Sequence, residues 1–451
     1  MVERTITRRR VLGTTAAAAA TTAIVGAPFV RGAHAAGKLA VAFWDHWVPG
    51  ANDVMTKLCK QWADKEKVDL QIDFVTSQGD KLMLTAAAEA QARSGHDMVT
   101  LTLWYGPAHT DSLEPSDDVW AELTKRHGPT TAAMTYVGRQ EGHWIAPPAI
   151  CNTLTLPSVG RIDIFKEAVG LDLTQMYPAG GQPNKELTDK WTWDFFLQAA
   201  EKCHKAGHPF GMPIGQTGDS ANWLGALFNA HGAELVDKDG NITIKSEPVK
   251  YVLDYMKRLV PYLPPDVFAW DDSSNNKALI SGQAALIMNP PSAWAVAVRD
   301  APKVAEQCWH FPSPKGPKGR IDPAQPSFWG IWSFSPNKSA AKSLALYLWE
   351  REQVAQLVAA SKGYDIPAFA TLRDFKTWAE EGPPKGGIWN YPPRGEVVEG
   401  VTGSPAPYRI ANQIFAQATL AKMVAQCTQS GKTIDQAIDW AAGELEGFMR
   451  S

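Results

Sequence analysis

From Leu39 onward the chain alternates between two hydrophobic periods. Residues 39–43 form a short apolar run; Val54, Leu58 and Trp62 then recur at helical spacing; Val68, Leu70, Ile72 and Phe74 alternate with polar neighbours. This spacing predicts a strand, a helix and a strand, followed by a helix over 81–93 that ends near Gly95 and a strand over 98–103. Alternating strands and helices with short links describe a parallel sheet with right-handed crossovers, so the first unit is α/β.

A second unit begins after residues 149–153. Thr192 is placed to cap a helix over 193–206, with Asp194 in the first turn at the positive end of the helix dipole and Gly207 as the stop. Further helices are predicted over 222–230, 249–260, 278–287 and 339–360, with strand-like stretches at 211–215 and 330–335. Pro- and Gly-rich segments at 177–183, 311–326 and 382–407 read as surface loops.

A chain of 451 residues, 45% hydrophobic and 20% charged, is too long for one ordinary core, which points to two packed lobes. The net charge of -3 gives no electrostatic footprint for nucleic acid. The first 35 residues hold five arginines and one acid. Without them, 39 of the 44 basic and 46 of the 47 acidic residues remain, a net charge of -7.

Those 35 residues read as an export signal. TRRRVLG at 7–13 carries paired arginines, an uncharged Ala/Thr-rich run follows over 11–30, and Ala33-His34-Ala35 is an A-x-A cleavage pattern. The many Ala, Thr and Gly make the run a poor membrane anchor, and no Cys lies near the cleavage point to carry a lipid. The expected product is a soluble periplasmic protein of the twin-arginine export type, cleaved near Ala35. The five cysteines, Cys59, Cys151, Cys203, Cys308 and Cys427, form no CxxC pair, which argues against a zinc ribbon or a thioredoxin-like motif; most are expected to be buried structural thiols.

Ligands of open α/β sheets bind beyond the carboxyl ends of the strands. Trp44-Asp45-His46-Trp47 follows the first predicted strand and Trp104-Tyr105 the third, so two strand ends present aromatic rings beside polar groups. Enzymatic signatures are missing: there is no HExxH, GxSxG, Walker loop or GxGxxG. The acid doublets Asp117-Asp118, Asp271-Asp272 and Glu380-Glu381 read as solvated faces, and Gly218-Asp219-Ser220 is a weak echo of an esterase nucleophile segment. His204 and His208 straddle a helix end and do not suit a metal. No catalytic residue, metal or cofactor is expected, and binding is the first hypothesis.

Several segments in order carry a family resemblance. They are Phe43-Trp44, Ser94-Gly95-His96-Asp97, the stretch Gly142-His143-Trp144-Ile145-Ala146-Pro147-Pro148, the stretch Lys190-Trp191-Thr192-Trp193-Asp194-Phe195-Phe196, residues 281–288 (SGQAALIM) and residues 335–341 (SPNKSAA). Through them the chain resembles the periplasmic solute-binding proteins of carbohydrate ABC transporters, the family 1 extracellular solute-binding proteins that include maltose-binding protein. It departs from that family at 153–158, TLTLPS, where a Tyr-Asn-Lys-like stretch is common, so no sugar carries over by name.

The resemblance implies a two-lobed, type II-like periplasmic binding protein fold with hinge strands and a central ligand cleft. It implies an N-terminal lobe of 36–150 plus about 327–363, and a C-terminal lobe of 151–326 plus about 364–451. The chain would cross between lobes near 149–153, 326–330 and 361–367. By position in the family, Trp44, Asp45, His46, Trp47 and Trp104 would contact ligand from the first lobe. Asn222, Trp223, Trp270, Asp271, Asp272 and Trp294 would do so from the second, with Trp329 at the returning strand. Flat indoles suit the C–H faces of a sugar ring, and acids and amides suit its hydroxyl belt; a bridge from Asp45 to Trp294 is the expected clamp. The implied role is the monomeric capture component of an importer, delivering a sugar or polyol to inner-membrane permease subunits. Two alternatives remain open: a receptor for a quaternary amine, since aromatic cages also hold such cations, and a secreted carbohydrate-active enzyme.

Overall fold

The structure, a computed structural model, describes residues 37–150, 155–179, 181–380 and 395–450; the export signal expected over 1–35 lies outside them. The first unit follows its periodicity. Strand β1 (Lys38–Trp44) leads into helix α1 (Ala51–Glu66), strand β2 (Asp69–Val75), helix α2 (Lys81–Ala92) and strand β3 (Met98–Thr102). β1 runs parallel to both β2 and β3, so each helix is a crossover packed on the sheet. Leu58 and Trp62 of α1 are buried, as their helical spacing requires.

Strand β4 (Ser158–Arg161) opens the second unit, followed by helices α3 (Trp193–Lys205), α4 (Gly218–His231), α5 (Glu247–Leu259) and α6 (Ser274–Ile280), then strands β5 (Leu286–Met288), β6 (Cys308–Phe311) and β7 (Gly319–Pro323). The Thr192 hydroxyl accepts the Phe195 N–H at 3.2 Å, the cap its position predicts. β4 lies between β5 and β6, antiparallel to both. Strand β8 (Ser327–Ile331) then returns to the first sheet, antiparallel to β3, in the order β8-β3-β1-β2. Helices α7 (Lys338–Leu348) and α8 (Arg351–Ala360) come next; strand β9 (Val398–Gly400) pairs with β7, and helix α9 (Tyr408–Ala416) follows.

The two units are joined by antiparallel contacts between the segments before β4 and before β8: Ala149 N–H donates to Ser327 O and Leu156 N–H to Pro323 O. A third crossing near 361–367 does not occur there. Asp365 meets His46, Phe369 bridges to Thr130, and the Trp378 indole donates to Gly363 O, so the chain stays on the first unit through Trp378. It reappears beside β7 at β9. Residues 402–409 then touch both units: the Thr402 hydroxyl donates to Ala221 O, while its carbonyl accepts the Trp104 indole N–H at 2.8 Å.

Five local expectations are corrected. The helix over 278–287 stops at Ile280, because Gly282 adopts φ 78° and the chain re-enters as β5. The helix over 339–360 is two, broken where Glu350 turns extended at ψ 141°. The loop over 311–326 contains β7, and the strand expected at 330–335 lies earlier, as β8. Residues 211–215 form no strand, although Gly211 N–H donates to Leu286 O beside β5. Cys203, Cys308 and Cys427 are buried free thiols, and burial pushes the first two up to about 12.

Two of the family-like segments meet in the first unit. Asp97 accepts the Ala40 N–H and the Ser335 hydroxyl. Beside it, His96 is held between Glu89 (2.5 Å) and Asp73 (3.0 Å), and Gly95 is required there, since a Cβ would lie 2.5 Å from the Glu89 Cδ. The hydrogen bond to Glu89, followed by that to Asp73, raises His96 to about 9 against its burial. A raised histidine stabilises the fold fully below its unfolded value of 6.5 and ceases to do so as pH climbs through about 9. His96→Gln should therefore cost about 1–2 kcal/mol near pH 6, discounted because Asp73 is partly solvated, and should flatten the loss of stability between neutral pH and pH 9, measured by urea unfolding across that range.

Candidate functional site

All three parallel strands of the first sheet deliver residues to one cleft at their carboxyl ends, as open α/β sheets do. Trp44 ends β1 and Trp47 follows; Ser77 and Asp80 follow β2; Thr102 ends β3, with Leu103 and Tyr105 just beyond. The opposite wall comes from element starts in the second unit. Gly218 and Asp219 open α4, Asp272 and Asn276 flank the start of α6, and Asn289 and Ser292 follow β5. Leu156 and Gln325 form the floor where the units are joined, and Tyr364 and Phe415 complete the walls. The cleft holds about 830 Å³ of space, the open solvent at its mouth included.

Trp44 is 3% exposed. Its indole N–H donates to the Ser77 hydroxyl at 3.2 Å and its ring lies 5.9 Å from that of Tyr364, which fixes its orientation. The loop after β2 turns through two left-handed residues, Gly79 (φ 63°) and Asp80 (φ 58°), and Leu103 is left-handed at φ 45°. Non-glycine residues are held there at a cost, and such strain gathers at binding sites.

The electrostatics are one-sided. Asp272 Oδ1 accepts the Asp219 N–H at 3.1 Å, while Asp219 Oδ2 accepts the Asn275 amide at 2.9 Å. Burial holds both carboxyls above the usual range; the Asp272 charge raises Asp219 further, and the Asp80 and Asp271 charges add to Asp272. Burial, then the Asp80 and Asp272 charges, push the Tyr105 hydroxyl up to about 12, so it remains a hydrogen-bond donor. Among the described residues that line the cleft there is no Lys, Arg or His.

Of the twelve residues expected at a site, the structure puts Trp44, Trp47 and Asp272 on the cleft wall. Asp45 is exposed and accepts the Asn52 amide at 2.7 Å. His46 turns inward: its Nδ1 accepts the Val48 N–H, leaving Nε2 to donate to Asp365 at 3.2 Å. Trp104 and Asn222 are buried and converge on Thr402 rather than on the cleft. The Trp223 indole is buried with its N–H on Pro213 O, and Trp329 is fully buried with its ring 5.9 Å from Phe43. Trp294 is 5% exposed, Trp270 is half-buried behind Gly211 and Gly215, and Asp271 caps Ser273 and Ser274; none of the three lines the cleft. The residues of the expected clamp, Asp45 and Trp294, thus lie off the cleft wall, where Asp80, Asp219 and Asp272 are found.

The residues missed carry a signal that was available. Ser77 and Asp80 follow the second strand in the same way as Trp44 follows the first. Asp219 belongs to the Gly-Asp-Ser segment, whose role is to bring a carboxylate to the start of α4.

A family model described as bacterial extracellular solute-binding protein matches residues 57–383. The chain belongs to that family. No curated protein sequence matches this solute-binding protein. Among solved structures it resembles a maltose-bound MalE3 of T. maritima, at 18% identity and a TM-score of 0.69 over 91% of this chain and 99% of that one. It also resembles a sugar transporter of Arthrobacter chlorophenolicus A6 with bound laminaribiose, at 14% identity and a TM-score of 0.69 over 91% and 99%. A third is the GacH receptor of Streptomyces glaucescens GLA.O, at 17% identity and a TM-score of 0.64 over 92% and 99%. At these identities the likeness is one of fold: the two-lobed architecture of solute-binding proteins.

Proposed function

We propose that this protein is the substrate-binding component of an ABC importer that captures a sugar or polyol and delivers it to inner-membrane permease subunits. The observation that carries the reading is the cleft itself. It sets the rings of Trp44, Tyr364 and Phe415 beside side-chain acceptors and donors supplied by both units, the combination a ring with apolar faces and a hydroxyl edge requires. The bound sugars of the structural neighbours, maltose and laminaribiose, support it. The site is then Trp44, Trp47, Asp80, Tyr105, Asp219, Asp272 and Asn289, with lobes of 36–150 plus 327 to at least 378, and 155–326 plus the segment from 398.

The same reading has the chain exported by the twin-arginine route, cleaved near Ala35 and acting as a periplasmic monomer without catalysis; the extracellular character of its family and the 1–35 sequence support this. A ligand touching both lobes favours the closed arrangement only by its differential affinity for it. Few such contacts give micromolar affinity, about -8 kcal/mol.

The test is mass spectrometry of the small molecule that co-purifies, followed by calorimetry with sugars, polyols and betaines. Saturable binding of a hydroxylated solute without turnover of chromogenic glycosides is expected, and turnover would overthrow the binding reading. Trp44→Ala should weaken that solute by about tenfold through loss of an aromatic part of the cleft wall, while Trp223→Ala, remote from the cleft, should alter stability and leave the affinity of the folded protein within about twofold.

A further inference from the structure

The cleft collects three carboxylates and no basic side chain among its described residues, with Asp80 on the first unit and Asp219 and Asp272 on the second. Charges of one sign do not gather by accident beside strained backbone: Asp80 is held in the left-handed region immediately after a left-handed glycine. A neutral sugar donates hydroxyls to carboxylates but leaves their mutual repulsion intact, and it removes the water that screened them. An ammonium group resolves both problems, and the buried edges of Trp44 and Tyr364 lie in the same wall.

One amide shows that the guest also needs a polar complement beyond its charge. Asn289 is 3% exposed; its oxygen accepts the Ser292 hydroxyl, while its NH2 makes no hydrogen bond and lies in the cleft wall. The Asn289 amide thus offers an unused donor that a hydroxyl can satisfy.

We infer that the solute is an amine-bearing polyol or amino sugar, its ammonium held between Asp80 and the Asp219–Asp272 pair and a hydroxyl met by Asn289. The inference rests on the sugar-binding reading and narrows it to a cationic class.

The test uses matched probes on the whole protein by calorimetry: glucosamine against N-acetylglucosamine, the glucosamine disaccharide against chitobiose, and choline as a cation without a sugar ring. The amine member of a pair should bind at least about tenfold tighter than its acetylated partner. Asp80→Asn and Asp272→Asn, each confirmed as folded by circular dichroism, should shrink that ratio to within about threefold, and raising the salt concentration should shrink it as well. Equal or tighter binding of the acetylated member overturns the inference and leaves the sugar-binding reading in place. Binding of choline with no sugar probe bound overturns both, in favour of a quaternary-amine receptor. Failure of every probe at millimolar concentration overturns the inference, whereas a neutral sugar recovered by co-purification would still uphold the function.

Discussion

Replacing Asp97 with alanine should lower the folding stability by about 3–5 kcal/mol, measured by urea unfolding. The side chain is 7% exposed and joins three separate pieces of chain. Its Oδ2 accepts the Ala40 N–H of β1 at 2.8 Å, its Oδ1 accepts the Ser335 hydroxyl at 2.6 Å, and the Asn337 amide reaches both oxygens at 3.2 and 3.3 Å. Alanine leaves these donors buried with no acceptor, and hydrogen bonds to a charged group are worth about 1.5–3 kcal/mol each before non-additivity. Asparagine retains one oxygen and should lose roughly half as much. A loss below about 1 kcal/mol for Asp97→Ala would show that the donors find water and that the cluster does not fasten the returning chain to the sheet.

Asp219→Asn should stabilise the ligand-free protein by about 1–3 kcal/mol at pH 8, the range for relieving a poorly solvated charge, and change little at pH 5. The direction follows from the raised carboxyl. A group whose folded value lies above its unfolded value binds more protons in the folded state, so stability falls as pH rises through the interval between them. The acids facing it reinforce this, since the Asp272 charge raises Asp219 and Asp80 and Asp271 raise Asp272; Lys277, which lowers Asp271, opposes it from farther off. Asparagine keeps an oxygen for the Asn275 amide while removing the charge. Thermal midpoints from pH 5 to pH 8 should diverge between wild type and variant, the wild type falling more steeply. Parallel curves would mean that Asp219 is solvated well enough to ionise without penalty. Stability given up to keep paired carboxylates in a cleft is the usual trade at a binding site, where the ligand restores it.

The first unit was legible because its information is local. Period-two and period-3.6 patterns fix β1 to β3 and the helices between them, and the Thr192 cap needs only its own hydroxyl and the next turn. The strand-end rule likewise put Trp44 and Trp47 beside the cleft that the structure opens there, since the carboxyl edge of a parallel sheet is implied once the strands are known. What sequence spacing does not encode is where an indole N–H finds its acceptor. Trp104 and Trp223 are buried because Thr402 and Pro213 bring carbonyls to them, and Thr402 lies 298 residues from Trp104. Asp219 and Asp272, 53 positions apart, become neighbours only through the packing of α4 against the start of α6. Periodicity along the chain thus determined the strands, the helices and the edge where the cleft opens. The charge of that edge was decided by tertiary structure alone, because repulsion between carboxylates depends on distances that only the folded chain sets.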